Sequence, residues 1–354
     1  MNFFETDKLT ALQAIEKAQW IAFAPVVFQA TRVLRDTGIL QAIEDSADGM
    51  TQDEVVARVQ LPVYGVRVLL EAGLGIGLVT FRDGRYRTTK TTSFILHDTL
   101  TRVNMDFTHD VCYNAMFFLE ESIREERPAG LQVLGNWSTI YEGLSKLPPK
   151  AKKSWFAFDH FYSDFAFPEV QATVFQHQPK TLLDIGGNTG KWATACFEYD
   201  PNVTVTIMDL PGQVEMARTN IAAKGFADRV RFQEANILDE QQQIAGQFDV
   251  IWMSQFLDCF SEDQIRSILR RCRQALSPTG KVFILEPFWN NQRFQASAFS
   301  LQQTSLYFTA IANGNSQMYH SGIFTRCIED AGFRVTTHEN LIGVSHTLLT
   351  CEAV

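Results

Sequence analysis

Two carboxylates and a run of glycines carry the sharpest chemical signal in the sequence. Leu182-Leu-Asp184-Ile-Gly186-Gly187-Asn188-Thr189-Gly190-Lys191 includes the end of a short apolar run. Gly186 and Gly187 permit a tight turn and the close approach of a ligand, and Gly190 lets a helix begin close to the strand. A dinucleotide site reads GxGxxG and sets a pyrophosphate on the helix N-terminus. Here the glycines stand at 186, 187 and 190, and Asp184 would repel a pyrophosphate while suiting an ammonium group. No Lys-Ser/Thr pair follows, so a P-loop is excluded. Asp209, in Ile207-Met-Asp209-Leu-Pro211, lies 25 residues beyond Asp184 at the end of the next β-prone run. A carboxylate there accepts both hydrogen bonds of a ribose diol. The pair implies an adenosine-containing ligand.

These residues need strand ends to hold them. From Thr181 the pattern alternates between strand and helix. Strands are expected at 181–185, 203–208, 230–232, 248–253, 281–285, 334–341 and 346–353, with helices at 190–198, 213–224 and 261–276. Ser261-Glu-Asp-Gln264 forms a capping box for the last of these helices. Such alternation gives an open, mostly parallel sheet with helices on both faces and ligands beyond the carboxyl ends of the strands.

Residues 1–105 read mostly helical, with apolar residues at helical spacing over 9–28 and 26–43. A capping box at Thr51–Glu54, a helix over 64–73 and a hairpin turning at Asp83-Gly84 outline a winged helix. The recognition-helix position carries a single arginine, Arg67, among mostly apolar groups. Readout of DNA needs several donors there, which argues against nucleic acid as a partner. The module is expected to pack against protein, most simply a second copy of itself. Residues 106–178 read as a helical connecting segment rich in aromatic residues, and 179–354 as the sheet domain.

Composition agrees. The chain has 354 residues, 45% of them hydrophobic, and a formal net charge of −9. That excludes disorder and argues against nucleic-acid binding over the whole surface. Six cysteines show no CxxC spacing. The N-terminus lacks a basic and apolar leader, and no early apolar stretch is long enough to span a bilayer. A cytoplasmic location without membrane association is expected. The histidines show no metal-ligand grouping, so no metal is expected. The 28 phenylalanines are the unusual number. Phe117, Phe118, Phe156, Phe158, Phe161, Phe165 and Phe167 cluster before the sheet, and Phe288, Phe294, Phe299, Phe308 and Phe324 follow its fifth strand. They read as a mixture of dimer contact and apolar acceptor pocket.

With these motifs in hand, the sequence resembles the class I S-adenosylmethionine-dependent small-molecule O-methyltransferases. That family includes plant caffeic-acid enzymes and bacterial enzymes of polyketide and pigment biosynthesis. Asp184–Gly190 is similar to its first motif and Asp209-Leu-Pro211 to the next. Phe256–Asp263, Gly280–Glu286 and Ala331-Gly-Phe333 follow in the family's order and spacing. The winged helix is similar to the family's dimerisation domain, so the resemblance covers nearly the whole chain. It implies an α/β fold: a Rossmann-like class I methyltransferase sheet with an N-terminal, mainly helical winged-helix dimerisation domain. It also implies a homodimer, S-adenosyl-L-methionine as cofactor and a small-molecule aromatic acceptor.

The resemblance assigns cofactor contacts to Asp184, Gly186, Gly187, Gly190, Asp209, Leu210, Asn236, Ile237 and Ser254. It assigns pocket walls to Trp155 and Tyr162. Several positions depart from the family pattern. Asn188 replaces a glycine, Ala235-Asn236-Ile237 replaces Gly-Asp-Met/Phe, and Ser254 replaces a lysine. Asp258 stands where plant-type members have the histidine that removes the phenolic proton. Of the two glutamates flanking that histidine, one matches Glu286 and the other aligns to Met318. Two roles are open to Asp258, general base or support for the turn before Ser261. Glu286 and His320 are the other catalytic candidates, and His160 is a weaker one. Three rivals to the O-methyltransferase reading are carried forward. They are a cofactor-binding protein of this fold with another reaction or none, a winged-helix regulator, and a nicotinamide oxidoreductase that the loop spacing disfavours.

Overall fold

The computed structural model describes residues 3–354. Its contacts divide it into two compact units, residues 4–106 and residues 107–354.

The first unit contains α1 (Ala11–Asp36), α2 (Ile39–Glu44), α3 (Gln52–Val59), α4 (Val63–Ile76), β1 (Val79–Arg82), β2 (Arg85–Thr88), α5 (Lys90–His97) and most of α6 (Thr99–Phe107). The two overlapping helices expected at 9–43 are instead one 26-residue helix running through Pro25, followed by the short α2. A proline removes one backbone donor. The apolar spacing continues across it, and a capping box of Thr10 and Gln13 fixes the start. Leu34, Ile39, Leu40, Ile43, Val55, Val66, Leu70 and Leu78 form the core of this unit. The box predicted at Thr51 forms, and Glu54 also takes both guanidinium nitrogens of Arg85, at 2.7 and 3.1 Å. Asp83 (φ 53°) and Gly84 (φ 74°) are both left-handed, as a two-residue hairpin turn requires.

In the second unit, α7 (Leu119–Glu125), α8 (Ile140–Gly143), α9 (Pro149–Asp164) and α10 (Phe167–Val174) precede the sheet. There follow β3 (Thr181–Ile185), α11 (Lys191–Tyr199), β4 (Thr204–Asp209), α12 (Pro211–Ala223), β5 (Val230–Glu234), β6 (Phe248–Ser254), α13 (Glu262–Ala275), β7 (Leu276–Pro287), α14 (Gln295–Tyr307), α15 (Ser321–Asp330), β8 (Phe333–Ile342) and β9 (His346–Ala353). The strands are ordered β5-β4-β3-β6-β7-β9-β8. All pairs are parallel except those made by β9. The chain reverses direction across the sheet between β3 and β6, so their carboxyl ends open the crevice where ligands bind in such folds.

Each face of the sheet has its own core. Ile265, Ile268, Leu269 and Cys272, at helical spacing, press α13 onto one face beside Phe324 and Ile328 of α15. Val170, Trp192, Cys196, Ala217 and Ile221 bring α10, α11 and α12 onto the other. Residues 107–178 lie in the same compact unit as the sheet. Phe107, Trp155 and Leu144 share a third core with Tyr307, Phe308 and Met318, which follow β7 in sequence.

Candidate active site

A cavity of about 280 Å³ opens at the carboxyl ends of β3, β4 and β6. Its sheet side begins at Asp184 near the end of β3. The carboxylate is 2% exposed, and burial pushes its pKa up to about 8, with the Asp209 charge acting the same way. The chain then turns through Gly186 at φ 76°, where a Cβ would run into the Phe256 ring. At Gly187 a Cβ would lie 2.8 Å from Asp184 Oδ2. Asn188 takes the left-handed position (φ 48°) that the family gives to glycine. Asparagine tolerates that backbone better than most residues.

Asp209 ends β4. Its Oδ2 accepts the Asn188 N–H at 2.8 Å and its Oδ1 accepts the Leu210 N–H at 2.7 Å. Burial raises it to about 6 against those two bonds. Leu210, Asn236, Ile237 and Ser254 complete this wall. Asp184 Oδ2, Asn188 Oδ1 and Ser254 Oγ are buried without a partner among the described residues.

The other wall is aromatic. Phe107 and Phe158 stack at 4.0 Å between ring centres, and Tyr307 meets Phe107 edge-on at 5.0 Å. Trp155 donates its indole N–H to the Tyr307 hydroxyl at 2.7 Å. Trp192 and Trp252 stack at 3.9 Å at the edge of the sheet wall.

Between the two walls lies the turn 256–260, anchored at several points. Glu286 Oε1 accepts the N–H groups of Phe256 (3.0 Å) and Leu257 (2.8 Å). Asn313 donates its amide to the Cys259 carbonyl, and the Tyr319 hydroxyl donates to the Phe260 carbonyl at 2.6 Å. The Ser261 capping box then starts α13. Asp258, 3% exposed, lines the cavity from this turn. Burial and the charge of Asp159 raise its carboxyl to about 7, while the Cys259 thiol, 3.4 Å from Oδ1, donates to it and pulls the other way. Glu286 is pushed well above the usual carboxylate range by burial and by Asp258. Shared burial and mutual repulsion thus act on both carboxyls in the same direction, against ionisation.

Four sequence candidates fall outside the cavity wall. Glu286 lies beneath the turn, where its oxygen serves backbone donors. His320 caps α15, accepting the Gly322 N–H on Nδ1 at 3.0 Å, because it directly precedes that helix. Gly190 (φ 80°) is spent on helix packing, with Ile221 where its Cβ would be. Tyr162 packs against Phe158 and Phe161, and Ser163 takes the place on the wall. Of the phenylalanine clusters, Phe158, Phe167 and Phe308 line the cavity. Phe288 and Phe324 sit in the sheet core, and Phe117, Phe294 and Phe299 are exposed.

Asp159 is the wall residue that the motifs missed. Its side chain is 24% exposed, desolvation raises its pKa to about 7, and its Oδ2 accepts the Asn188 side-chain amide at 3.0 Å. The signal was present: Asp159 stands four residues after Trp155 and shares its helical face. Tyr141 and Tyr307 were also missed, since their places on the wall follow from tertiary packing of short segments.

Residues 167–334 match the O-methyltransferase domain family and residues 16–86 the Dimerisation2-like domain family. The chain belongs to the S-adenosylmethionine-dependent small-molecule O-methyltransferase family. It is 22% identical over 331 residues to the L-tyrosine C(3)-methyltransferase of Streptomyces lavendulae, covering 92% of this chain and 89% of that one. It is 26% identical over 254 residues to the 3-hydroxy-5-methyl-1-naphthoate 3-O-methyltransferase of Streptomyces sahachiroi, covering 71% of each. The crystal structure of the S-adenosylmethionine-dependent methyltransferase SibL shares the fold, with a TM-score of 0.72 at 23% identity over 96% of this chain and 99% of that one.

The methyltransferase cavity fits its cofactor. Unpartnered buried acceptors and raised carboxylates suit a ligand bearing an ammonium group and hydroxyls. Among the described residues no group of three His, Cys, Asp or Glu side chains could hold a metal ion.

Proposed function

We propose that this methyltransferase acts on a hydroxyl of an aromatic or polyketide-like small molecule, with Asp258 as the general base. The observation that carries this reading is the position of Asp258. A carboxylate that titrates near neutrality stands on one cavity wall between the acidic strand ends and the aromatic box.

Asp184, Gly186, Gly187, Asp209, Leu210, Asn236, Ile237 and Ser254 would hold S-adenosylmethionine, with Gly190 acting indirectly by seating α11. When bound, the cofactor supplies an electrophilic methyl group on sulfur. A free phenol has a pKa near 10. Asp258 accepts its proton and raises the share of reactive oxyanion. Glu286 positions Asp258 by holding the backbone of its turn. Trp155 and Phe158 orient a flat ring. In the same reading the chain pairs as a homodimer through residues 16–86, supported by the match to the Dimerisation2-like domain. It works in the cytoplasm, where its six free thiols stay reduced.

The test is transfer of a labelled methyl group from S-adenosylmethionine to a panel of phenols and hydroxylated polycycles. A labelled ether supports the reading. Replacement of the family histidine by Asp258 favours a second reading, a cofactor-binding protein of this fold with a different reaction. Tight cofactor binding without any ether from the panel would select it.

A further inference from the structure

We propose that the acceptor is an uncharged aromatic hydroxyl compound and that the cavity excludes aryl carboxylates. This rests on the function proposed above and deepens it to a substrate class.

The acidic and basic side chains on the cavity wall, histidine aside, are Glu142, Asp159, Asp184, Asp209, Asp258 and Lys191. Lys191 is already engaged, with its Nζ 2.5 Å from Asp164 Oδ2. His160 also lines the wall, but burial lowers its pKa to about 4, so its ring is neutral at physiological pH. No arginine lines the cavity among the described residues.

A carboxylate moved out of water needs a cation or several donors to replace its hydration. Beside Asp258, once that carboxyl is ionised above about pH 7, it would instead meet a second carboxylate. The rest of the acceptor wall offers no countercharge among the described residues. Phe107, Phe158, Phe308 and Met318 are apolar, and the Trp155 donor is taken up by Tyr307. Burial keeps the Tyr141 hydroxyl protonated and without a partner among the described residues, so it and Thr304 can donate to an acceptor oxygen but bring no positive charge to offset an anion. The naphthoate named for the Streptomyces sahachiroi relative is therefore the kind of acceptor this cavity rejects.

The experiment is calorimetry at pH 8, where Asp258 is ionised, on the full chain saturated with S-adenosylhomocysteine, comparing 2-naphthol with 3-hydroxy-2-naphthoate. The two share a bicycle and a hydroxyl and differ by one carboxylate. Naphthol should bind at least about tenfold more tightly, a difference of about 1.4 kcal/mol. In Asp258→Asn the gap should narrow, because one like charge is gone. Equal or tighter binding of the carboxylate overturns the proposal. So does an unchanged gap in Asp258→Asn, or the binding of neither compound. Failure to bind S-adenosylhomocysteine itself would bring down the cofactor reading beneath the proposal, an outcome distinct from the others.

Discussion

Burial decides what Asp258 can do. In water its carboxyl would be ionised far below neutral pH and would be a weak base. Enclosed in the cavity, with Asp159 repelling its charge, it holds a proton up to about pH 7. A base must be deprotonated to act, so kcat/KM should rise with pH through about 7 and then level. Asp258→Asn should cut kcat by about a hundredfold or more, remove that inflection and leave cofactor affinity unchanged. Equal turnover in a pH-rate series would dismiss Asp258 as base. The sequence made this residue visible through its place in a recognisable block. Asp159 had only a weak signal there, its spacing from Trp155, because no motif contains it and its place beside the glycine loop comes from packing of α9. His320 misled for the opposite reason: a histidine just before a helix finds its partner in that helix's first turn.

The glycine loop and the 256–260 turn are positioned as one piece. The Phe256 ring occupies the space that a side chain on residue 186 would need, so each segment sets the path of the other. Gly186→Ala adds a methyl group against that ring and demands a left-handed backbone of a residue that resists it. The expected result is an affinity for S-adenosylhomocysteine weakened at least about tenfold, or roughly 1.4 kcal/mol, read by calorimetry. Unaltered affinity would show that the loop relaxes independently of the turn. The individual strands, the hairpin and the capping boxes of α3 and α13 were legible because each is patterned by residues near in sequence, and the parallel pairing followed from the alternation of strands with helices. The run of α1 through Pro25 was not, since one lost donor is a weak signal against the many bonds of a long helix. The short helices between 107 and 147 were equally obscure. They take their shape from contacts with residues such as Tyr307 and Phe308, far along the chain.

At the scale of the whole molecule, two features ask for something beyond the single ligand-free chain. The first is α1, where Leu12, Ile15, Trp20, Phe23 and Val26, at helical spacing, are all exposed on one face. An exposed apolar face of this kind marks an interaction site. Ile15→Asp combined with Phe23→Asp should convert a particle of twice 40.1 kDa into a folded monomer in light scattering. A wild-type monomer would refute the homodimer.

The second feature is the set of carboxylates that line the cavity. Asp184, Asp159 and Asp209 hold protons up to about pH 8, 7 and 6. Unfolded, they release them near pH 4. Between those limits the folded chain binds more protons, so its stability falls as pH rises. His160 and His346, lowered to about 4, act in the opposite sense, but only up to about pH 6.5, where an unfolded imidazole has lost its proton. From pH 6.5 to 8 that offset is gone, and Asp184 alone accounts for a loss of about 2 kcal/mol. The thermal midpoint of the ligand-free protein should therefore drop by several degrees across this interval. Asp184→Asn should flatten the drop. S-adenosylmethionine brings an ammonium and a sulfonium to the same carboxylates, so the midpoint it adds in scanning calorimetry should be larger at pH 8 than at pH 6.5. A ligand-free midpoint that stays level or climbs from pH 6.5 to 8 would mean that these acids are ionised before the cofactor arrives.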